Sequence, residues 1–105
     1  MVRKPLDKAE VEEGLRVEVL DMPDQLRVFF KSVAVEVRET TCSEFPGRPV
    51  FVVARSEDRA IFYDDVEEDF GIGTFDGEAR LKDCGLIGEL QFALIALQGG
   101  QKARI

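Results

Sequence analysis

Apolar residues first recur at helical spacing. Val11, Leu15, Val19 and Met22 share one face, with Glu12, Glu13, Arg16 and Glu18 on the other. Asp7 and Glu10 stand three apart, as in a capping box with Asp7 as N-cap. Gly14 weakens this helix by roughly 1 kcal/mol relative to alanine, and the run 15–20 also reads as a short strand. Pro23 ends the helix or opens the next one. Leu26, Phe29, Phe30 and Val33 then follow i, i+3, i+4, i+7, which predicts a second short helix over 24–31. The two around Pro23 form a helical pair.

The period then changes to two. Val33, Val35 and Val37 alternate with Ala34, Glu36 and Arg38, the pattern of a half-buried strand. Residues 45–49 carry turn chemistry, with Pro46, Gly47 and Pro49. Val50, Phe51, Val52, Val53 and Ala54 form a continuous run suited to a central strand buried on both faces. A polar turn over 56–59 returns the chain into Ala60, Ile61, Phe62 and Tyr63, an antiparallel neighbour. Residues 71–75 are a further short strand, and Asp76-Gly77 signals a hairpin leading to Ala79, Arg80 and Leu81.

The last element is a helix over 86–98, apolar nearly all round. Only Glu89, Gln91 and Gln98 are polar there. Such a helix is buried on more than one side, against the sheet or a second copy of the chain. Residues 99–105 read as a flexible tail. Helices followed by strands, without βαβ alternation, give an α+β class. The expectation is one domain over 1–105, with its core in 6–98. It has an N-terminal helical pair, a three- to five-stranded antiparallel sheet and a buried C-terminal helix.

Charge narrows the function. The net charge of −7 argues against nucleic-acid binding, whose affinity comes from lysines and arginines on phosphate. It disfavours anionic membrane surfaces and suits a basic protein partner. No apolar run approaches the length of a membrane span, and the first residues lack the apolar core of a signal peptide, so the expected location is cytoplasmic. The chain has no histidine, which rules out Ser-His-Asp and Cys-His catalysis and the commonest transition-metal ligand. No phosphate-loop pattern is present. No catalytic residue and no cofactor are expected. The two cysteines, Cys42 and Cys84, are expected to be reduced thiols. Cys84, just before the final helix, is the candidate for a lowered thiol pKa.

The segment 64–69 is the main candidate site. Asp64, Asp65, Glu67, Glu68 and Asp69 crowd five carboxylates between apolar stretches. Asp65, Glu67 and Asp69 alternate, so an extended backbone places them on one face about 7 Å apart. Hard divalent cations take such ligands, but a calcium loop starting at Asp65 would need glycine where Phe70 stands. Val66 and Phe70, four apart, read as two apolar anchors under a rim of largely outward-pointing acids, with Asp64 or Asp65 capping the turn by accepting backbone N–H groups. Tyr63, Phe70 and Phe75 are candidates to line a small pocket for a cationic ligand beside them.

The strand Val50-Phe51-Val52-Val53-Ala54, the run Tyr63-Asp64-Asp65-Val66-Glu67-Glu68, then Asp76-Gly77, Cys84-Gly85 and Glu89-Leu90 carry a resemblance. In these residues the chain resembles a set of small bacterial proteins, with no assigned activity, that carry a VFVVA…DDVEEGF…EL signature. Asp69 stands where that signature has glycine. The resemblance spans roughly residues 6–97, agrees with the fold reading and implies a bacterial origin. It implies no catalytic residue.

The leading expectation is a non-catalytic acidic protein-binding module that engages a basic partner through residues 64–69. An immunity- or antitoxin-like inhibitor of a basic nuclease is one form of it. The alternative is a binding protein for a small cationic ligand or divalent metal. A homodimer through the helix 86–98 is a further expectation.

Overall fold

A computed structural model describes residues 6–77 and 80–99. The expected tail beyond Gly99, the first five residues, and Glu78 and Ala79 of the second hairpin lie outside them.

The capping box forms as its spacing demands. Asp7 accepts the Glu10 N–H and Glu10 accepts the Asp7 N–H, opening α1 over Lys8–Leu20. Val11 and Leu15 are its buried residues. Pro23, which has no N–H to satisfy, precedes α2 over Asp24–Val33. Five strands follow: β1 Ala34–Thr41, β2 Pro49–Ser56, β3 Arg59–Asp64, β4 Asp69–Phe75 and β5 Leu81–Gly88. They pair in chain order as an antiparallel meander. α3, Leu90–Gly99, closes the described chain. The α+β architecture expected from the sequence is the one observed. No helix of the described residues is long and apolar enough to cross a membrane.

The sheet buries both of its faces differently. One face packs against the helices: Val37, Phe51, Val53, Ile61 and Phe70 meet Val11, Leu15 and Phe30, together with Leu90, Ala93, Leu94 and Leu97 of α3. The other face carries a concave hollow over β1 and β2 and holds a second cluster of Cys42, Val50, Val52, Ala60, Phe62 and Leu81. This explains the unbroken apolar run in β2, whose residues 50–54 are all buried.

The concave face closes because the loop after β1 reaches β5. Cys42 bridges Leu81, and the Ser43 N–H donates to the Leu81 carbonyl at 2.9 Å. The Glu44 carboxylate accepts the N–H groups of Asp83 (3.0 Å) and Cys84 (3.1 Å). These bonds, that from Cys84 foremost, hold the Glu44 carboxyl below its ordinary pKa. Phe45 completes the plug, edge-on to Phe62 with ring centroids 6.0 Å apart.

Two expectations about the C-terminal third are corrected. Leu86, Ile87 and Gly88 belong to β5, not to the final helix, because Gly71 and Leu86 pair across the sheet. Gly88 at φ +135°, a conformation suited to glycine alone, breaks the chain between strand and helix. Helix and strand are hard to separate in a short apolar run by periodicity alone. Cys84 therefore lies on a strand and not before a helix N-terminus. Burial, and secondarily Cys42 beside it, pushes its thiol up instead of down. Burial raises Cys42 as well. Neither is an activated thiol.

Candidate functional site

The acidic segment is a four-residue hairpin turn between β3 and β4. Asp64 and Asp69 are the last cross-strand pair, and the Glu68 N–H closes the turn on the Asp64 carbonyl at 2.8 Å. Glu68 takes φ +59°, the left-handed geometry that lets so short a loop reverse.

Two of the five acids turn inward, against the expectation that they point largely outward, and the expected capping of the turn by Asp64 or Asp65 is observed at Asp64. Asp64 has no exposed surface and Asp65 only 8 %. Asp64 accepts the Val66 N–H at 3.1 Å through Oδ1 and pairs with the Arg48 guanidinium through Oδ2. Arg48 in turn stacks over Phe45, 4.7 Å from the ring centroid. Asp65 accepts the Leu6 N–H at 2.9 Å and ties the approach to α1 onto the turn. A buried carboxylate needs such partners to offset its lost hydration. Glu67 and Glu68 are exposed and Asp69 is half-buried. The anchor expected at Val66 is also corrected: Val66 is 57 % exposed, and of that pair only Phe70 is buried. Asp65, Glu67 and Asp69 do not share an extended face, since 65–68 is turn. Among the described residues no three acids or thiols are grouped to hold a metal ion.

The aromatic expectation divides in two. Tyr63 and Phe70 are cross-strand partners with ring centroids 4.9 Å apart on the helix-facing side. Phe75 packs with the concave cluster, under the Arg55 guanidinium. The three do not line one pocket.

Tyr63 and Phe70 do line a groove with α1. It holds about 120 Å³, and Glu10, Gly14 and Glu18 lie along it with Leu6, Val11 and Leu15. Glu10, Gly14 and Glu18 are spaced four apart, so they stack on one stripe of the helix. A side chain at Gly14 would meet nothing within 4 Å. The glycine that weakens α1 thus leaves open space above the aromatic pair.

Glu18 also borders a second notch of about 220 Å³, where α1 ends beside the start of α3. Asp21, Glu89, Val17, Met22 and Gln91 complete its lining. No lysine or arginine is among the described residues lining either groove. Burial, then the charges of Glu89 and Asp21, raise the Glu18 carboxyl above its ordinary value, partly offset by a backbone hydrogen bond from Leu90. An acid whose folded pKa is raised loses stability as pH climbs through that value. The folded chain is therefore penalised for the Glu18 charge at neutral pH and not in acid.

Glu18, Asp21 and Glu89 were not singled out by sequence reasoning. Glu18 is one acid among several on an exposed helix face, and Glu89 is 71 residues away in the chain. The only local signal was a glycine at mid-helix. No protein family, no curated protein and no solved structure matches this chain.

Proposed function

We propose that the chain is a non-catalytic binding module for a basic protein segment, and that the segment docks along α1 instead of on the acidic turn. The observation that carries this reading is the pair of grooves sharing Glu18, with carboxylates at their rims, aromatic rings in one floor and no cation lining them. A groove of 120 Å³ is small beside the roughly 300–1,000 Å³ of small-molecule sites. It suits one lysine or arginine side chain, its stem on Tyr63 and Phe70 and its charge toward Glu10 and Glu18. The second notch takes the next basic residue. An inhibitor that masks a basic nuclease surface is one form of such a module.

Calorimetry with a lysine- and arginine-rich octapeptide tests this. The peptide binds at low salt and is released at high salt. Glu18→Gln and Gly14→Ala each weaken it by about tenfold, a change of about 1.4 kcal/mol. Glu18→Gln also raises the Tm at neutral pH, because it removes the penalised charge. Glu67→Gln with Glu68→Gln leaves affinity unchanged. Absence of binding at low salt sinks the reading, as does loss of binding on changing the turn and not the groove. n-Butylamine binding as tightly as the peptide would transfer the site to small cationic ligands.

The C-terminal helix supports a second reading. Phe92 and Ile95 on its outer face are each 52 % exposed, and Leu86 and Ile87 at the end of β5 are partly exposed. We propose that a second copy covers this face. Sedimentation at micromolar concentration would show a dimer that Ile95→Glu dissociates; a native monomer rejects it.

A further inference from the structure

The concave face of the sheet is filled at one end and open at the other. Phe45, Cys42, Phe62 and Leu81 fill the end next to β5. At the opposite end a groove of about 490 Å³ lies over β1 and β2, with Phe75 of β4 on its wall. Its apolar lining is Val35, Val52 and Phe75, and its cationic lining is Arg38 and Arg55.

Strand irregularities place these residues. β1 shifts register between Ala34 and Arg38, and β2 shifts between Val52 and Ala54. The two irregularities face each other, and bulges re-aim side chains where they occur. Arg38 pairs across the ladder with Val52, and Arg55 with Ala60, both members of the concave cluster. Cross-strand partners share a face, so both guanidinium groups belong to the concave side.

Two glutamates also border the groove, and the Glu36 charge is shared between Lys8, its main partner, and Arg38. Glu36 is engaged by the Lys8 ammonium at 2.8 Å. Glu39 stands opposite Phe51, which packs toward the helices. Arg55 is held in place: its guanidinium lies 4.1 Å from the Phe75 ring centroid, and its Nε donates to the Glu57 carbonyl at 2.7 Å. Its Nη donors are thereby oriented in advance. Arg38 makes no hydrogen bond or salt bridge to a described residue. In a chain of net charge −7, two arginines converging on one apolar hollow run against the overall field.

We infer that this groove binds a small amphipathic anion, a carboxylate or phosphate monoester carried on an apolar body. The head group takes charge-assisted hydrogen bonds from Arg38 and Arg55. The body lies on Val35, Val52 and Phe75. The volume falls within the roughly 300–1,000 Å³ of small-molecule sites. The site is separate from the acidic grooves along α1 and does not depend on them.

Titration of the full chain with phenyl phosphate, octanoate, inorganic phosphate and benzylamine, followed by NMR, tests it. Phenyl phosphate and octanoate move the methyl signals of Val35 and Val52 and the Arg55 side-chain N–H at millimolar concentration. Inorganic phosphate, lacking the apolar body, binds about tenfold more weakly. Benzylamine leaves these signals in place. Arg38→Gln and Arg55→Gln each weaken phenyl phosphate by about tenfold. The double variant abolishes binding, with an unchanged Tm showing that the exposed substitutions leave the fold intact. Lys8→Ala, which touches no ligand, weakens it too by releasing Glu36. No shift with either amphipathic anion overturns the inference. Equal affinity for inorganic phosphate, benzylamine at the same signals, or full binding by the double variant does the same.

Discussion

Gly71→Ala will destabilise the domain by about 3 kcal/mol, the upper range for overpacking a core. A Cβ at this position would lie 2.3 Å from the Gly85 carbonyl oxygen and 2.7 Å from Phe62 Cζ. The first is backbone of the neighbouring strand and the second is the ring at the centre of the concave cluster. Neither yields without moving β4 from β5 or lifting Phe62 off the sheet. The neighbouring Gly85→Ala is the control, since its Cβ would meet nothing within 4 Å. It should stay within about 1 kcal/mol of the native chain. Thermal unfolding of both variants reads the difference. A Gly71→Ala domain that melts with Gly85→Ala would mean that β4 and β5 are not packed this closely.

The second large effect is expected at Asp64. Removing one partner of a buried ion pair strands the other, and Asp64→Ala should cost about 3 kcal/mol. It also deletes the acceptor for the Val66 N–H, and leaves Arg48, whose buried Nε already has no partner among the described residues. At the usual slope for a domain of this size, the Tm falls by more than about 10 °C. Replacing both members with apolar residues of similar volume, Asp64→Leu with Arg48→Met, should recover at least half of that loss, because no charge is left buried. The double-mutant cycle isolates the coupling. Additive losses would show that Asp64 works through the turn alone and that Arg48 is incidental. The same experiment bears on the acidic turn as a docking surface: a residue that holds the hairpin together is not also available to a partner.

Several local features were legible before folding was considered, because their causes are local. Asp7 and Glu10 cap α1 through groups three residues apart. The continuous run at 50–54 has to be buried on both sides, whichever partners cover it. Asp76-Gly77 opens the last hairpin, with Asp76 and Arg80 in an ion pair and Gly77 at φ +66°. The start of the final helix is not legible locally, because Leu86 and Ile87 are as compatible with a strand as with a helix. Their pairing with β4 decides it, and that pairing is not a local property.

The candidate site shows the same division more sharply. Composition and charge marked residues 64–69 as unusual and the local order offered Asp64 or Asp65 as a cap of the turn, but the burial of both is not a local property. Arg48 and the Leu6 amide decide that, from 16 and 59 residues away. They convert Asp64 and Asp65 from surface charge into structural groups. The reverse happens along α1, where unremarkable helix acids acquire neighbours: Tyr63 and Phe70 beneath them, and Glu89 across from Glu18. The sequence by itself determined the class of fold, the sign of the overall field and the absence of histidine chemistry. These depend on residue identity and short-range spacing, which folding does not alter. Which carboxylates are buried, which crowd into a groove, and which arginines border an apolar hollow were decided by tertiary structure alone. Those properties belong to distances between residues far apart in the chain, and only the packed sheet and helices set them.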